Sequence, residues 1–348
     1  MKGLTILLDT WQGAEAAALI RDGQLDDLII DSDDPRPGTI YRAKADRPVK
    51  GQGGMFLTTP DGSAFLRQVK GLRPGQPILV QVTGHAEPGK AIPVTQRLLF
   101  KSRYAIVTPG APGINVSRAI RDDDQREALL ALAHEVLDGH PALDLDPPAG
   151  LILRSSCAAA HVDDIHADIE SMAGLAVQVL GDIDGPPEKL VDGDGPQDLA
   201  WREWPATPDR DDTAGCFGTH DVDGMIDALF RPDIALAGGG HMAVEPTRAI
   251  VAVDINTGGD TSPAAGLKAN LAAARELPRQ LRLRGLGGQI VIDPAPMPKK
   301  DRRAFEGALR AALRGEPVET VLVGWTTLGL VELQRQRMRA PLAKGGKR

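Results

Sequence analysis

Two aspartates stand at the ends of two short apolar runs in the last third of the chain. The run AIVAVDINTGG (249–259) contains Asp254, and the run QIVID (289–293) ends in Asp293. Runs of this length and β-branched content predict buried strands, each of which would deliver its carboxylate at its carboxyl end. Carboxylates are ligands that Mg²⁺ prefers, and Mg²⁺ can polarise a phosphoryl oxygen and activate a water molecule. The two residues are therefore candidates for metal-assisted phosphodiester chemistry.

The segment between the two runs determines whether the carboxylates can meet. GLKANLAAARELPRQLRLR predicts a helix with a basic last turn, which Pro278 should kink or divide. A strand–helix–strand crossover would place both strands in one sheet with their carboxyl ends at one edge. Asn256 would point to the same side as Asp254 and could orient a carboxylate or the scissile phosphate. The alternative is that each aspartate only caps a turn, which is common at strand ends.

A barrel is predicted before these strands. Residues 36–100 contain five short strand-like runs separated by turn residues, which is typical of a small closed OB-type β-barrel. Aromatic residues are scarce, at 3% of the chain, yet Phe56 and Phe65 both fall in this region. Rings on a barrel face stack nucleobases, but rings also fill barrel interiors. The pattern alone leaves both roles open.

The remaining patterns predict a mixed α/β protein with several domains. Residues 1–35 predict an antiparallel hairpin or meander, and residues 101–180 predict an α/β unit of strands and amphipathic helices. Residues 181–216 are rich in Asp, Gly and Pro and predict an exposed linker or long loop. Gly238–Gly240 lacks the spacing of a dinucleotide or P-loop motif, which disfavours a nucleotide-binding enzyme.

Charge is distributed unevenly along the chain. The formal net charge is −7, which argues against a uniformly basic nucleic-acid binder. Residues 268–348 nevertheless hold 17 basic and 7 acidic residues, whereas residues 1–267 hold 23 basic and 40 acidic. This asymmetry predicts a local basic face that binds a polyanion, the alternative being solvated arginine-rich helix faces.

Cysteine content and hydropathy bear on the compartment. Two cysteines, Cys157 and Cys216, are too few for a disulfide framework, so a reducing cytoplasm is expected. The apolar start of the chain is too short for a signal peptide, and no membrane span or membrane partner is expected.

Several motifs together resemble the bacterial ribonuclease E/G family. AVDINTGG and NLAAARELPRQLRLRGLGGQIVIDPAPM are similar to that family's AIDIN segment and its long RQLRLRxLGGxIVID motif. SRAIRDDD, GLILRSS and LGLVELQRQR resemble three further family segments, so the similarity extends over most of the chain. The resemblance implies domains in the family's order: an RNase H-like N-terminal part at 1–35, an S1 (OB-fold) RNA-binding barrel at 36–100, a 5′-sensor α/β segment at 101–180, an acidic Gly/Pro-rich linker at 181–216, a DNase I-like catalytic subdomain at 217–340 and a basic tail at 341–348.

The resemblance also implies an activity and roles for individual residues. Asp254 and Asp293 match the catalytic, Mg²⁺-binding aspartates, with Mn²⁺ as the alternative ion, and Asn256 matches the asparagine beside them. The implied enzyme is an endoribonuclease that cleaves single-stranded RNA with metal-activated water, leaves a 5′-phosphate and a 3′-hydroxyl, and acts in rRNA or tRNA processing and mRNA decay. The remaining implied contacts are RNA binding by Phe56, Phe65 and Lys90, and 5′-monophosphate sensing by Arg154 with Ser155.

The chain also departs from the family's pattern. No cysteine follows Cys216, so a structural zinc and subunits joined through a CPxC zinc link are not supported, although a homo-oligomer of another kind is compatible. The family's IVIDFIDM becomes IVIDPAPM, which replaces an acidic residue with Pro296. Its SRFGLLE becomes TTLGLVE, which loses an arginine and a phenylalanine at Thr327 and Leu328. These losses keep open an alternative function, a non-catalytic or weakly active RNA-binding protein of the same family.

Overall fold

A computed structural model describes residues 3–49, 53–69, 71–207 and 209–343. The strands are β1 (Leu4–Trp11), β2 (Ala14–Arg21), β3 (Gln24–Ile30), β4 (Ile40–Val49), β5 (Gly54–Thr59), β6 (Gly62–Leu66), β7 (Pro77–Val82), β8 (Ile92–Thr95), β9 (Phe100–Lys101), β10 (Ala105–Pro109), β11 (Gly113–Val116), β12 (Ala149–Leu153), β13 (Glu188–Val191), β14 (Arg210–Asp211), β15 (Asp233–Ala235), β16 (His241–Pro246), β17 (Ile250–Asn256), β18 (Gly288–Asp293), β19 (Thr320–Trp325) and β20 (Val331–Arg335). The helices are α1 (Asp123–Leu137), α2 (Val162–Gly181), α3 (Pro196–Glu203), α4 (Cys216–Thr219), α5 (Val222–Leu229), α6 (Ala265–Leu283) and α7 (Arg302–Arg314), with 3₁₀ turns at Pro141–Leu143, Ser155–Ala159 and Lys299–Asp301.

The chain forms two compact units. Unit 1 comprises residues 1–34, 195–197 and 206–348, and unit 2 comprises residues 35–194 and 198–205. The predicted mixed α/β architecture, with a closed five-stranded barrel and several further sheets, is confirmed. No helix in the described part of the chain is long and apolar enough to cross a membrane.

Unit 1 begins with the antiparallel meander predicted for residues 1–35. Strands β1, β2 and β3 pair in order, and β14 joins β1 in parallel. Gln12-Gly13 and Asp22-Gly23 both take positive φ angles at the two turns, which suits tight hairpins between twisted strands. The meander packs through residues such as Leu7 and Ile20 against α4 and α5.

The second part of unit 1 is a six-stranded sheet in the order β15-β16-β17-β18-β20-β19. Strands β17 and β18 are parallel and α6 connects them, as the crossover predicted. Val253 and Ile292 point into a core that they share with Leu277 of α6 and Leu309 of α7. Because side chains alternate along a strand, Asp254 and Asp293, which follow Val253 and Ile292, face away from this core.

Pro278 does not divide α6, which was one of the two effects predicted for it. The helix runs without interruption from Ala265 to Leu283 with Pro278 inside it. Leu277 and Leu281 are almost completely buried, so tertiary packing on both sides of the proline holds the helix in one piece.

Unit 2 contains the predicted barrel. The strand order β4-β5-β6-β8-β7 closes on itself because β7 also pairs with β4. Strand β6 runs parallel to β8, and the other barrel pairs are antiparallel. Tyr41, Leu57 and Val80 fill the interior.

The rest of unit 2 is a four-stranded sheet, β11-β12-β10-β9, covered by α1 and α2. Its core includes Leu151 and Leu153 of β12 together with Ile165 and Ile169 of α2.

Residues 181–216, predicted as a linker or long loop, instead contain β13, α3 and β14. Strand β13 adds to the barrel at β4, where Arg42 donates to Asp182 Oδ1 at 2.7 Å and to Glu188 Oε2 at 2.9 Å. These short edge elements are held by pairing and charge rather than by an apolar stripe, so hydrophobic periodicity does not reveal them. Of the predicted basic tail, residues 344–348 lie outside the described residues.

Candidate functional site

Asp254 and Asp293 lie directly opposite each other at the carboxyl ends of β17 and β18. Neighbouring strands are about 4.8 Å apart, so the two carboxylates start from adjacent positions. Both side chains are exposed, on the sheet face opposite the α6–α7 core. The predicted convergence of the two strand ends is therefore present in the fold.

Asn256 completes a small polar group with these carboxylates. Its Nδ2 donates to Asp254 Oδ2 at 2.7 Å, which holds one carboxylate oxygen in place. Among the described residues, neither Asp254 nor Asp293 forms an ion pair with Lys or Arg. Two adjacent carboxylates without a neutralising side chain form a negatively charged site that suits a cation.

The loop after β18 is anchored by a residue that the sequence prediction missed. Asn270, fully buried in α6, donates through Nδ2 to the Ala295 carbonyl at 2.9 Å and accepts from the Ala295 N–H at 2.9 Å. Gly266 lets the same helix approach this loop, since a Cβ there would overlap the Pro296 carbonyl oxygen. An asparagine on the apolar side of a helix was the available signal, because asparagine is unfavourable there unless it bonds.

Two further features lie at the same edge of the sheet. His241 of β16 is exposed and stands opposite Asn256. Val331, at the start of β20, pairs with both Ile292 of β18 and Trp325 of β19. The β19–β20 turn, which contains Thr327 and Leu328, therefore lies at this edge. Leu328 is 87% exposed. The sequence departures at Thr327 and Leu328 thus fall beside the strand that carries Asp293.

Phe56 and Phe65 form a half-exposed aromatic pair on the barrel. They are register partners on β5 and β6, with ring centroids 5.2 Å apart. The Arg47 guanidinium lies 5.0 Å from the Phe56 ring centroid. Gly54 makes room for the Phe65 ring, which a Cβ at that position would overlap. Unlike Tyr41 inside the barrel, these rings present surface to solvent.

Lys90 is exposed in the segment between β7 and β8. Its Nζ lies 2.5 Å from Glu87 Oε2. Exposed ion pairs of this kind contribute little to stability, so the ammonium group remains accessible to an anion.

Arg154 follows β12 in unit 2 and is mostly buried, with 17% of its side chain exposed. Its Nη1 donates to the Ser102 carbonyl at 2.5 Å, and its Nη2 donates to Glu203 Oε2 at 2.6 Å. Ser155, the next residue, is exposed at the start of a 3₁₀ turn. The residue predicted to bind a terminal phosphate therefore already holds a carboxylate.

Glu203 is bound by three cationic side chains. Lys101 Nζ lies 2.6 Å from Oε1, Arg202 Nε donates to Oε1 at 2.8 Å, and Arg154 holds Oε2. Burial works to raise the pKa of Glu203, but the charges of Lys101, Arg154 and Arg202 outweigh it and lower that pKa to about 2. Burial, together with the two arginines, lowers the pKa of Lys101 despite the glutamate. This cationic cluster (Lys101, Arg154 and Arg202) is an anion site occupied by Glu203, and its Arg202 also pairs with Asp194 Oδ2.

Part of the positive charge of residues 268–348, predicted to form a basic face, is instead taken up by ion pairs within unit 1. Arg282 pairs with Glu316 and, at 3.3 Å, with Asp27, while Arg335 lies 3.1 Å from Glu316 Oε2 with only 1% of its side chain exposed. Arg335 is the register partner of Gly288, at the opposite end of β18 from Asp293. These arginines neutralise buried acids of unit 1, so they do not form a phosphate-binding face.

Comparison with known proteins places these features in a family context. Residues 208–338, which carry both aspartates, match the model of the Ribonuclease E/G family. The resemblance inferred from the motifs is thereby confirmed.

Curated relatives align over most of the chain. Ribonuclease E of Escherichia coli (strain K12) is 28% identical over 315 residues, covering 78% of this chain and 29% of that protein. Ribonuclease G of Salmonella typhimurium (strain SL1344) is 26% identical over 403 residues, covering 96% of this chain and 80% of the relative. Ribonuclease E of Synechocystis sp. is 25% identical, covering 93% of this chain and 55% of the relative. The chain thus spans well under two thirds of the two ribonuclease E proteins.

Proposed function

We propose that this protein is a Mg²⁺-dependent endoribonuclease that cleaves single-stranded RNA and leaves a 5′-phosphate and a 3′-hydroxyl. The observation that carries the proposal is the direct opposition of Asp254 and Asp293 at one edge of a sheet, inside the segment that matches the family model. The similarity to ribonucleases E and G supports RNA as the substrate class.

The residues at this edge fit a hard divalent cation. The described residues contain no group of three or more His, Cys, Asp or Glu side chains arranged to hold a metal. Mg²⁺ needs no such group, since it is usually held by one or two carboxylates and completes its shell with waters and substrate phosphate oxygens. When bound, it would supply Lewis-acid stabilisation of the phosphate and a more acidic water.

Three side chains of the protein would position the cation. Asp254 and Asp293 would bind the cation, and Asn256 would keep the Asp254 carboxylate oriented. Because this face of the sheet is exposed, an extended RNA strand could reach the two carboxylates. We assign rRNA or tRNA processing and mRNA decay as the processes that this cleavage would serve.

The other predicted sites would bind RNA away from the scissile bond. Phe56 and Phe65 would stack bases on an S1-type barrel at 36–100, and Lys90 would contact a phosphate. Arg154 and Ser155 would bind the 5′-monophosphate within the 5′-sensor segment at 101–180. The N-terminal part at 1–35 would be RNase H-like, and residues 217–340 would form the DNase I-like catalytic subdomain.

Cleavage of a 5′-monophosphorylated, A/U-rich single-stranded RNA tests the proposal. With Mg²⁺ we expect the wild type to cut the RNA internally. Asp254→Asn and Asp293→Asn should each cut at least about 100-fold more slowly, because each loses the charge of a metal ligand. Chelation of the metal should stop the wild type. Mapping of the product ends should find 5′-phosphates and 3′-hydroxyls.

Glu245→Gln is the matched control, because Glu245 is an exposed carboxylate on β16 of the same sheet but is paired with Ala252, away from the edge. It should cut like the wild type. Equal cutting by the wild type and both aspartate variants would overturn the catalytic assignment. A wild type that binds the RNA without cutting it would establish the alternative, a non-catalytic RNA-binding protein. The departures from the family's sequence at Pro296 and Thr327–Leu328 are the observations that favour this alternative.

A further inference from the structure

An exposed aromatic surface lies beside the cationic cluster in unit 2. Trp201 of α3 is 53% exposed, although large apolar rings are usually covered. Its ring meets the Tyr104 ring edge-on, with centroids 6.3 Å apart and an interplanar angle of 78°. The Arg103 guanidinium lies 5.2 Å from the Trp201 centroid and 5.9 Å from the Tyr104 centroid. We call Arg103, Tyr104 and Trp201 the aromatic platform.

The same two chain segments build the platform and the cationic cluster. Lys101 and Arg103 are two residues apart on one segment, and they contact Glu203 and Trp201, which are two residues apart on α3. The aromatic platform therefore adjoins the cationic cluster that holds the Glu203 carboxylate.

Hydrogen bonds fix the backbone of Arg103 and Tyr104. The Tyr104 N–H donates to Asp168 Oδ2 at 2.9 Å, and its carbonyl accepts from the Arg154 N–H at 2.8 Å. The Ser156 hydroxyl donates to the Arg103 carbonyl at 2.5 Å. A surface that is fixed before binding loses little conformational entropy when a ligand stacks on it.

We propose that the aromatic platform stacks the first one or two unpaired bases of an RNA whose 5′-phosphate is held at the cationic cluster. The inference rests on the proposed function and adds a base-binding site to it. An exposed indole face with an adjacent guanidinium is the chemistry that binds nucleobases without regard to sequence, and nearby cations bind the phosphates. The ligand class is thus a single-stranded 5′ end, preferred when its terminal bases are unpaired.

Equilibrium binding without divalent metal tests the platform, because cleavage then plays no part. The probes are two 3′-fluorescein, 5′-monophosphorylated decaribonucleotides that are identical except that one has abasic sugars at the first two positions. Since stacking on an aromatic side chain is sequence-tolerant and substantial, we expect the wild type to bind the base-bearing probe roughly 5- to 100-fold more tightly. Fluorescence anisotropy gives both dissociation constants.

Variants distinguish stacking from a general loss of structure. Trp201→Ala should bind both probes equally, whereas Trp201→Phe should keep most of the preference because it keeps a ring. Leu143→Ala, at another exposed apolar side chain of unit 2, should behave like the wild type. Thermal melting confirms that each variant is folded.

The outcomes separate this inference from the proposed function. A wild type that binds the two probes equally overturns the platform, and so does a Trp201→Ala variant that keeps the preference. Neither result bears on Mg²⁺-dependent cleavage at Asp254 and Asp293. A base preference that Trp201→Ala abolishes, found in a protein that does not cut RNA, would support the platform and overturn only the catalytic proposal.

Discussion

Asp254 and Asp293 carry like charges at directly opposite positions of two paired strands. Such pairs are destabilising in a sheet, by a few tenths of a kcal/mol to about 1 kcal/mol. A fold that accepts this repulsion at an exposed edge has a site that a divalent cation would stabilise. The repulsion between the two carboxylates lowers stability, which is the usual trade-off between stability and activity at an active site.

Mg²⁺ should therefore stabilise the wild type specifically through these two residues. A ligand that binds only the folded state raises the melting temperature as its concentration rises. We expect millimolar Mg²⁺ to raise the wild-type melting temperature, and Asp254→Asn and Asp293→Asn to respond less while melting at or above the wild-type temperature without metal. Differential scanning calorimetry measures both effects. An equal Mg²⁺ response in all three proteins would exclude the pair as the metal site.

Glu203 occupies the anion site at Arg154 and should compete with a 5′-phosphate. Glu203→Gln removes the competing charge but keeps the size of the side chain, so a 5′-monophosphorylated RNA should bind several-fold more tightly than to the wild type. Binding of the 5′-hydroxyl RNA should change little. Glu127→Gln, an exposed position in the same unit, is the control. An unchanged ratio between the two RNAs would mean that the phosphate does not enter this cluster.

The same carboxylate predicts a pH dependence of stability. Three cations outweigh burial and lower the pKa of Glu203 from 4.5 to about 2 in the folded protein. Its contribution to stability is thus complete above pH 4.5 and is lost as the pH falls from about 4.5 to about 2. Denaturant unfolding across this range should show a shallower decline for Glu203→Gln than for the wild type. Parallel curves for the two proteins would contradict the ion pairing.

At the scale of secondary structure, α6 does more than connect two strands. Its Asn270 holds Ala295 in the loop that follows Asp293, and Gly266 allows the close approach. The helix therefore positions the carboxyl end of β18. The predicted crossover accounts for the strands being parallel, whereas this anchor accounts for a defined loop.

Asn270→Ala should weaken both stability and activity. It leaves the N–H and carbonyl of Ala295 without their partner in a buried position, which costs about 1–3 kcal/mol for each group left unsatisfied. Urea unfolding should show this loss, and cleavage should slow because the chain after Asp293 is no longer held. Arg275→Ala, at an exposed position of the same helix, should stay within about 0.5 kcal/mol of the wild type. A fully stable Asn270→Ala variant would show that the anchor is dispensable.

At the scale of the whole molecule, net charge is a poor guide to RNA binding. The excess of basic residues after Lys268 is partly used up inside unit 1, where Arg282 and Arg335 neutralise Glu316. Cationic side chains nevertheless remain exposed on both units, among them Lys300 and Arg303 after β18 and Arg47 and Lys90 on the barrel. An overall charge of −7 is compatible with such patches.

RNA binding should accordingly depend strongly on salt. The logarithm of the affinity for a single strand falls with the logarithm of the salt concentration, with a slope of about −0.7 for each phosphate contacted. We expect Lys90→Ala to reduce the magnitude of the slope by about one such contact, and Arg335→Gln to leave it unchanged in any protein that remains folded. Anisotropy titrations at several KCl concentrations measure the slopes. An affinity that is independent of salt would contradict phosphate binding.

The sequence by itself determined the strand ends that carry Asp254 and Asp293, the crossover helix, the closed barrel and the family resemblance. These features follow from apolar runs, turn residues and long motifs, which are local in the chain. Only the tertiary structure revealed that Pro278 stays inside α6, that residues 181–216 add strands and a helix, and that Asn270 anchors the loop after β18. It also showed that Glu203 occupies the Arg154 site, that Trp201 faces solvent beside Arg103, and that Arg335 is buried. These outcomes depend on contacts between residues distant in the chain, whose energies no local pattern contains.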